Sequence, residues 1–313
     1  METFTPPTQG ANNLDIPAGR LETRYLAFLE TIKHLRPGLH RYCARMTGSV
    51  LDGEDIVQES LFQAYRKLDT FDDTRPLSPW LYRIAYNRCV DLLRQRGSRE
   101  KAEAEAANSQ DDFVHPVEPV GPALGKAVEH LVLSLPPKER ACVLLKDVFD
   151  YSLEEIAELI DSTIGGVKAA LHRGRLKLEE RPIGAPTAST TPTESSALLR
   201  LYVERFNQRD WVGVRELISA DARLLVVDRF AGPLVESPYF STYERHPSPW
   251  RMAVAEIDGE AAVVIQVAGT EGWVPTAAVR LRVSARQIAG ITDYWLCPWI
   301  IPATLALHVD GLS

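Results

Sequence analysis

Residues 151–178 read YSLEEIAELIDSTIGGVKAALHRGRLKL. Ser152 followed by Glu155 has the spacing of a capping box and predicts a helix from residue 153. Ile156, Ala157 and Ile160 give that helix a buried face. Asp161-Ser162-Thr163 is a short polar joint, and Asp tolerates the left-handed backbone such joints use. Thr163 is placed to cap the next helix. There Val167, Leu171, Gly174 and Leu178 recur at helical spacing and predict the inward face. Lys168, His172 and Arg175 fall on a different face, flanked by Arg173 and Lys177. Two helices with a tight joint, the second basic on its outer side, predict a helix-turn-helix. The second helix of such a motif lies in the major groove, where Arg and Lys meet guanine edges and phosphates. The competing reading is a solvated helix whose charges serve solubility. Surface helices usually mix signs, and this one has no acidic residue between Thr163 and Leu178, which favours nucleic acid.

That concentration of positive charge is local. The 313-residue chain carries a formal net charge of −7, so it is no general nucleic-acid coat, although local patches still set local binding. With 45% hydrophobic and 25% charged residues, it has enough apolar material for two or three cores. The four cysteines, Cys43, Cys89, Cys142 and Cys297, are far apart with no C-x-x-C pair. A disulfide framework or zinc site is not expected, and a reducing cytoplasm is the expected location. The N-terminus does not read as a signal peptide, and no apolar run is long enough to span a bilayer.

Outward from the opening stretch, helical periodicity runs from Arg24 to Arg99. Its three helices are expected to end at Gly48, to cover LDGEDIVQESLFQAYRKLDTF, and to run from PLSPW to Gly97. The third carries Arg83, Arg88, Arg94 and Arg96 among Trp80, Tyr82, Tyr86 and Asn87. Rings to stack on, beside Arg and amide edges, suit unpaired bases, although each ring taken singly fits a core position as well. The preceding helix is acidic, with Asp52, Glu54, Asp55 and Glu59. An acidic helix beside a basic one suggests a basic protein surface and a nucleic acid as two different partners.

The segments DGEDIVQESLFQAYRKL, PWLYRIAYNRCVDLLRQR and LPPKERACVLLKDVFDYSLEEIAELIDSTIGGVKAALHRGRLKL resemble regions 2 and 4 of bacterial extracytoplasmic-function (ECF) sigma factors, over roughly residues 22–180. The resemblance implies core RNA polymerase and promoter DNA as partners. It implies that Asp52, Asp55, Gln58 and Glu59 grip the β′ clamp helices, and that region 4 meets the β flap. It implies that Trp80, Tyr82, Arg83, Asn87, Arg88, Arg94 and Arg96 melt and read the −10 element. Thr163, Lys168, His172, Arg173, Arg175 and Lys177 would read the −35 element. The chain departs from the family pattern at Gly166 and at Ala169-Ala170, so a modest or altered −35 preference is expected. Gly165-Gly166 also weakens the helix start by about 1 kcal/mol per Gly.

After a Pro/Ser/Thr-rich stretch, residues 197–313 change texture to helix and then strand-like runs. The beginning, LLRLYVERFNQRDWVGVRELISADARLLV, resembles SnoaL-like domains of the NTF2 superfamily. The resemblance implies a regulator acting in cis and a cone with a pocket. Tyr202, Phe206, Trp211, Trp273, Asp293, Tyr294 and Trp295 are candidate lining residues, and Asp228, His246 and Asp293 a less favoured acid/base set.

The expected fold is therefore multidomain: two all-α domains, region 2 and a helix-turn-helix region 4, followed by an α+β NTF2-like cone. Expected boundaries are a tail at 1–20, region 2 at 21–100, a linker at 101–121, region 4 at 122–181, a linker at 182–196 and the last domain at 197–313. No cofactor, metal, membrane contact or catalytic activity is expected; a small-molecule ligand and an anti-sigma partner stay open. The alternative is a one-component DNA-binding regulator or sensor whose last domain binds or transforms a small molecule.

Overall fold

The first helix, α1 (Ala18–Thr47), accommodates Pro37 within its length and stops where Gly48 takes a positive φ of 83°. The structure is a computed structural model that describes residues 18–72, 75–107, 132–179, 194–270 and 272–310. Expectations for 1–17, 108–131 and 180–193, which include most of the tail and both linkers, lie outside the described residues.

Helix α2 (Val50–Arg66) opens on Ser49, whose side chain accepts from the Asp52 amide at 3.2 Å. It crosses α1 closely. A Cβ on Gly53 would stand 2.6 Å from the Ala44 nitrogen, so this crossing admits only glycine. Helix α3 (Leu77–Ala107) does not end at Gly97 as the pattern predicts. The ten residues that follow, SREKAEAEAA, are mostly strong helix formers and outweigh the cost of about 1 kcal/mol for one interior glycine. The expected linker start at 101 is therefore still helix.

Helix α4 (Pro137–Val143) has proline in its first turn and runs into a π-helical stretch, Leu144–Val148. Helices α5 (Leu153–Leu159) and α6 (Ile164–Glu179) complete the helical part. Its two halves share one core. Tyr42 packs on Tyr82 and Phe149, with ring centroids 5.3 and 6.0 Å apart, and Tyr82 meets Tyr151 at 5.6 Å.

The last part begins with α7 (Glu194–Asn207) and α8 (Trp211–Glu216). Strands β1 (Ile218–Val226) and β2 (Phe230–Pro233) follow, then the short helix α9 (Tyr239–Glu244). Strands β3 (Trp250–Ile257), β4 (Glu260–Gly269), β5 (Gly272–Ser284) and β6 (Gln287–Asp293) come next, then α10 (Ile300–Ala303) and β7 (Leu307–Val309). They form one sheet in the order β2-β1-β6-β5-β4-β3-β7, antiparallel except for the β1–β6 pair. Asp258 and Gly259, both at positive φ, make the two-residue β3–β4 hairpin, the mirror-image turn that matches strand twist.

Strand alternation divides the sheet. Val263, Ile265, Val279, Leu281 and Ile291 face α7 and α8 and pack on Tyr202 and Phe206. Ala262, Val264 and Ala278 point the other way and pack with Ala44, Val50 and Leu51 of α1 and α2. Part of the outer face of the sheet is thus buried against α1 and α2.

Candidate functional site

The acidic helix meets the sheet at its charged residues. Arg280 of β5 donates to Asp55 Oδ2 at 2.7 Å, to Asp52 Oδ1 at 2.9 Å and to Glu260 Oε2 at 2.6 Å. The Tyr294 hydroxyl donates to Asp55 Oδ1 at 3.1 Å. Arg96 of α3 holds Asp52 from the opposite side. Arg36 of α1 pairs with buried Glu54 at 2.5 Å and with Asp228 at 2.8 Å, and the Trp299 indole donates to Glu54 at 2.8 Å. The Val50 amide donates to Asp258 at 3.1 Å. Polar groups are thus paired across an otherwise apolar contact, as burial requires.

Several ionisations are shifted at this contact, two of them in the Asp55–Arg280 pair. Burial pushes the Asp55 carboxyl up to about 6, against the opposing pull of Arg280 and the Tyr294 hydrogen bond. At Arg280, burial works against the charge but is outweighed by the facing Tyr294, Glu260 and Asp55 oxygens, so the guanidinium is held above its usual range. Gln58 Nε2 is buried without a hydrogen-bond partner. Glu59 is exposed and pairs with Arg88 at 3.2 Å.

Along α3 the expected base-reading residues separate. Arg83, Asn87 and Arg94 are exposed. Trp80 is half-buried against Phe71, with centroids 4.6 Å apart. Tyr82 does not reach solvent: it is 4% exposed, locked among Tyr42, Phe149 and Tyr151, and burial raises its hydroxyl pKa. Its place on α3 is therefore a core position in this packing. Arg83 and Asp161 pair at 3.5 Å, tying α3 to the joint before α6.

The helix-turn-helix has the expected local chemistry. Ser152 and Glu155 form the capping box, Asp161 has φ 53°, and the Gly166 amide donates to the Thr163 hydroxyl at 3.0 Å. Gly166 has a structural use, since a Cβ there would stand 2.7 Å from the Ser162 hydroxyl. Val167, Leu171 and Gly174 are buried, and Lys168, His172, Arg173, Arg175 and Lys177 are outside. The basic face is not wholly free, which the helix sequence alone does not reveal. Arg173 and Lys177 reach back to Glu139 at 2.9 and 2.8 Å, and Arg175 to Asp147 at 2.5 Å. Among the described residues, Lys168 and His172 have no such ion pair.

A cavity of about 210 Å³ opens in the last domain between the β1–β2 turn, α9 and the end of β6. Of the expected lining residues only Asp293 and Trp295 border it. Tyr202 and Phe206 are fully buried in the core and Trp211 packs on Phe206 at 5.0 Å, because α7 and α8 fill the inner face of the sheet. Trp273 lies on β5 beneath Arg251. Tyr294 turns to Asp55 instead. The imagined acid/base set does not assemble, since His246 and Asp293 line the cavity while Asp228 pairs with Arg36. Tyr239, Tyr243 and Phe230 are the lining aromatics that sequence reading missed. The short YFSTYE helix carrying two of them has no strand or helix periodicity long enough to mark it.

Among the described residues, no group of three or more His, Cys, Asp or Glu side chains is arranged to hold a metal, and no helix is long and apolar enough to cross a membrane. The four cysteines are free and buried.

A capped helix-turn-helix with a basic outer helix, packed on a second basic helix rich in aromatics, defines a helical DNA-binding protein. Residues 31–99 match the Sigma-70 region 2 family and residues 125–178 the Sigma-70 region 4 family. The chain is 34% identical over 165 residues to the ECF RNA polymerase sigma factor SigW of Bacillus subtilis, spanning 50% of this chain and 88% of SigW. It is 31% identical over 217 residues to SigG of Mycobacterium tuberculosis, covering 60% of this chain and 58% of SigG. The solved structure of the ECF sigma factor SigJ of Mycobacterium tuberculosis is similar over 85% of this chain and 95% of SigJ, at 18% identity and a TM-score of 0.35. The chain belongs to the ECF RNA polymerase sigma factors. Sigma factors bind core RNA polymerase, recognise promoter DNA and initiate transcription, and this chain does so through regions 2 and 4.

Proposed function

We propose that the C-terminal domain restrains this sigma factor in cis by covering the acidic face that grips core RNA polymerase. The observation that carries the proposal is Arg280, which bridges Asp52 and Asp55 at 2.9 and 2.7 Å. These are two of the four carboxylate and amide groups expected to meet the β′ clamp helices. While Arg280 and Tyr294 occupy them, they are unavailable to a basic partner. Covalent linkage to region 4 keeps the competitor at high effective concentration.

The packing of region 2 on region 4 supports the same reading. Promoter elements near −10 and −35 lie about 25 base pairs apart, or about 85 Å at 3.4 Å per base pair. The tilted ring contact of Tyr82 with Tyr151 and the Arg83–Asp161 pair suit a closed state in which α3 lies against α5 and the joint before α6. In the open state α3 would read −10 through Trp80, Arg83, Asn87, Arg88, Arg94 and Arg96. Helix α6 would read −35 through Lys168 and His172, with Arg173, Arg175 and Lys177 exchanging their carboxylate partners for phosphates. The sheet domain, which we read as NTF2-like, acts as a regulator without catalysis.

The test compares the full chain, its Arg280→Ala variant and residues 1–182 for binding to core RNA polymerase and for run-off transcription. Tighter core binding and more transcript from the variant and from 1–182 are expected. Equal behaviour of all three would sink the proposal. Promoter binding by the full chain without polymerase would favour the one-component regulator instead.

A further inference from the structure

A groove of about 720 Å³ runs between region 2 and the face of the sheet turned away from α7 and α8. Strand register builds its floor. Gly290 of β6 lies opposite Arg223 of β1 on one side and Arg282 of β5 on the other. The two arginines are therefore two strand spacings apart, about 10 Å between Cα atoms, with no side chain between them. Two residues on, Thr292 lies opposite Leu225 and Arg280. Alternation puts these residues on one face, since their neighbours Ala222, Leu224, Leu281 and Ile291 pack inward. Arg96 of α3 lines the groove from the region 2 side.

The charges of this groove do not balance. Four arginines line it, against the three carboxylates of Asp52, Asp55 and Glu260. All three carboxylates are already taken: Arg280 holds them at 2.9, 2.7 and 2.6 Å, and Arg96 also holds Asp52. Arg223 and Arg282 are exposed and, among the described residues, make no ion pair. Asp221, farther along β1, is exposed and accepts from the Ser219 hydroxyl. The Arg282 guanidinium lies over Gly290, where a Cβ would stand 3.2 Å from its Nε and Nη2, and donates to the Ala289 carbonyl at 3.3 Å. Glycine on the floor thus keeps the space between Arg223 and Arg282 open. The half-buried Thr292 has a hydroxyl without a hydrogen-bond partner among the described residues. Two guanidinium groups and a hydroxyl are therefore offered to one enclosed space with no anion to meet them.

We propose that this groove binds a small molecule carrying a diphosphate, which bridges the sheet domain and region 2. One phosphoryl group accepts from Arg223 and the other from Arg282, and the Thr292 hydroxyl donates between them. The guanidinium fork matches phosphate oxygens in geometry as well as charge. An anion lying between Arg96 and the two sheet arginines turns repulsion across the contact into attraction, so the ligand holds the cover closed. A nucleic-acid strand fits less well, because Asp52, Asp55 and Glu260 border the same groove and repel an extended polyanion. The binding half stands alone; the tighter cover it brings rests on the cis-restraint reading above.

The probe is inorganic pyrophosphate, titrated calorimetrically into the full chain without divalent cations. Saturable binding is expected. Arg223→Ala and Arg282→Ala should each weaken it about tenfold, as loss of one charge-assisted contact predicts. Arg229→Ala, which removes an exposed arginine outside the groove, should leave it unchanged. Absence of saturable binding, or equal weakening by all three substitutions, overturns the site. A single-stranded oligodeoxynucleotide that displaces pyrophosphate and binds more tightly would assign the groove to nucleic acid and overturn the small-molecule reading. Hydrogen exchange of residues 50–56 should slow when pyrophosphate is bound, and bound pyrophosphate with unchanged exchange there overturns the bridge. Failure of the cis-restraint reading shows separately, as equal binding of core polymerase by residues 1–182 and the full chain with pyrophosphate binding intact.

Discussion

Region 2 makes two large internal contacts of opposite chemistry. Toward region 4 it presents rings: Tyr42 and Tyr82 against Phe149 and Tyr151. Toward the sheet it presents small apolar residues, Ala44, Val50 and Leu51, ringed by charge: Arg36, Asp52, Glu54 and Asp55. An aromatic contact draws on buried area and is nearly indifferent to salt and pH. A charged contact draws on pairs that a competing partner can take over and that proton concentration can alter. The difference assigns the two contacts different duties. The first makes the helical part cohere, and the second is, on the reading proposed above, an exchangeable cover.

The most severe challenge to this division is Tyr42→Ala. Removing a fully buried ring from the shared core should cost about 3–5 kcal/mol of stability, measured by chemical denaturation, with little change in salt dependence. A loss below about 1 kcal/mol would mean the ring contact is not a core. Glu54→Ala comes next. It leaves the Arg36 guanidinium buried with only Asp228 as counter-ion and should cost about 3 kcal/mol, read from the same denaturation curves.

Arg280→Ala is expected to weaken docking of the sheet by about 2 kcal/mol, discounted because Asp55 retains 43% exposure of its side chain. Faster hydrogen exchange over residues 50–56 would register it, and unchanged exchange would move the cover elsewhere. A smaller effect is expected from pH. Asp55 rises from an ordinary 3.8 to about 6 in the docked form, mainly through burial. A raised carboxyl favours the protonated state, so its contribution to docking is full below about 4 and fades as pH rises through about 6. The exchange rate over 50–56 should therefore climb across that window in the wild type, and less in Asp55→Asn. The smallest effect is Ser152→Ala. Losing this capping box should cost region 4 about 1 kcal/mol and leave docking untouched, which makes it the control for the other variants.

Much of region 4 is readable residue by residue because its signals are local. The Ser152–Glu155 box, the left-handed Asp161, the Thr163 cap and the buried Val167–Leu171–Gly174 stripe all act within a turn or two of chain. The end of α3 is misread for the same reason turned round: Gly97 is a local stop signal, and the helix formers after it override it. The cavity is hardest to read. Tyr202, Phe206 and Trp211 have the composition of a lining, yet α7 and α8 turn them into the core, and the true lining comes from a six-residue helix and two loop segments. Which aromatic borders space depends on how the sheet curves over the helices, and no spacing in the chain encodes that directly.

By itself the sequence determines the helix-turn-helix, the acidic and basic helices, the sigma-factor family and the change to an α+β domain, because periodicity, capping and motif order are properties of neighbouring residues. Only the tertiary structure decides that Arg280, more than two hundred residues away, closes on Asp52 and Asp55. It also decides that Tyr82 is core and that Asp293 and Tyr294 face a cavity and an interface on opposite sides of one strand end. Charge pairing across such separations is set by which surfaces the whole chain can bury together, a global condition that no local pattern carries.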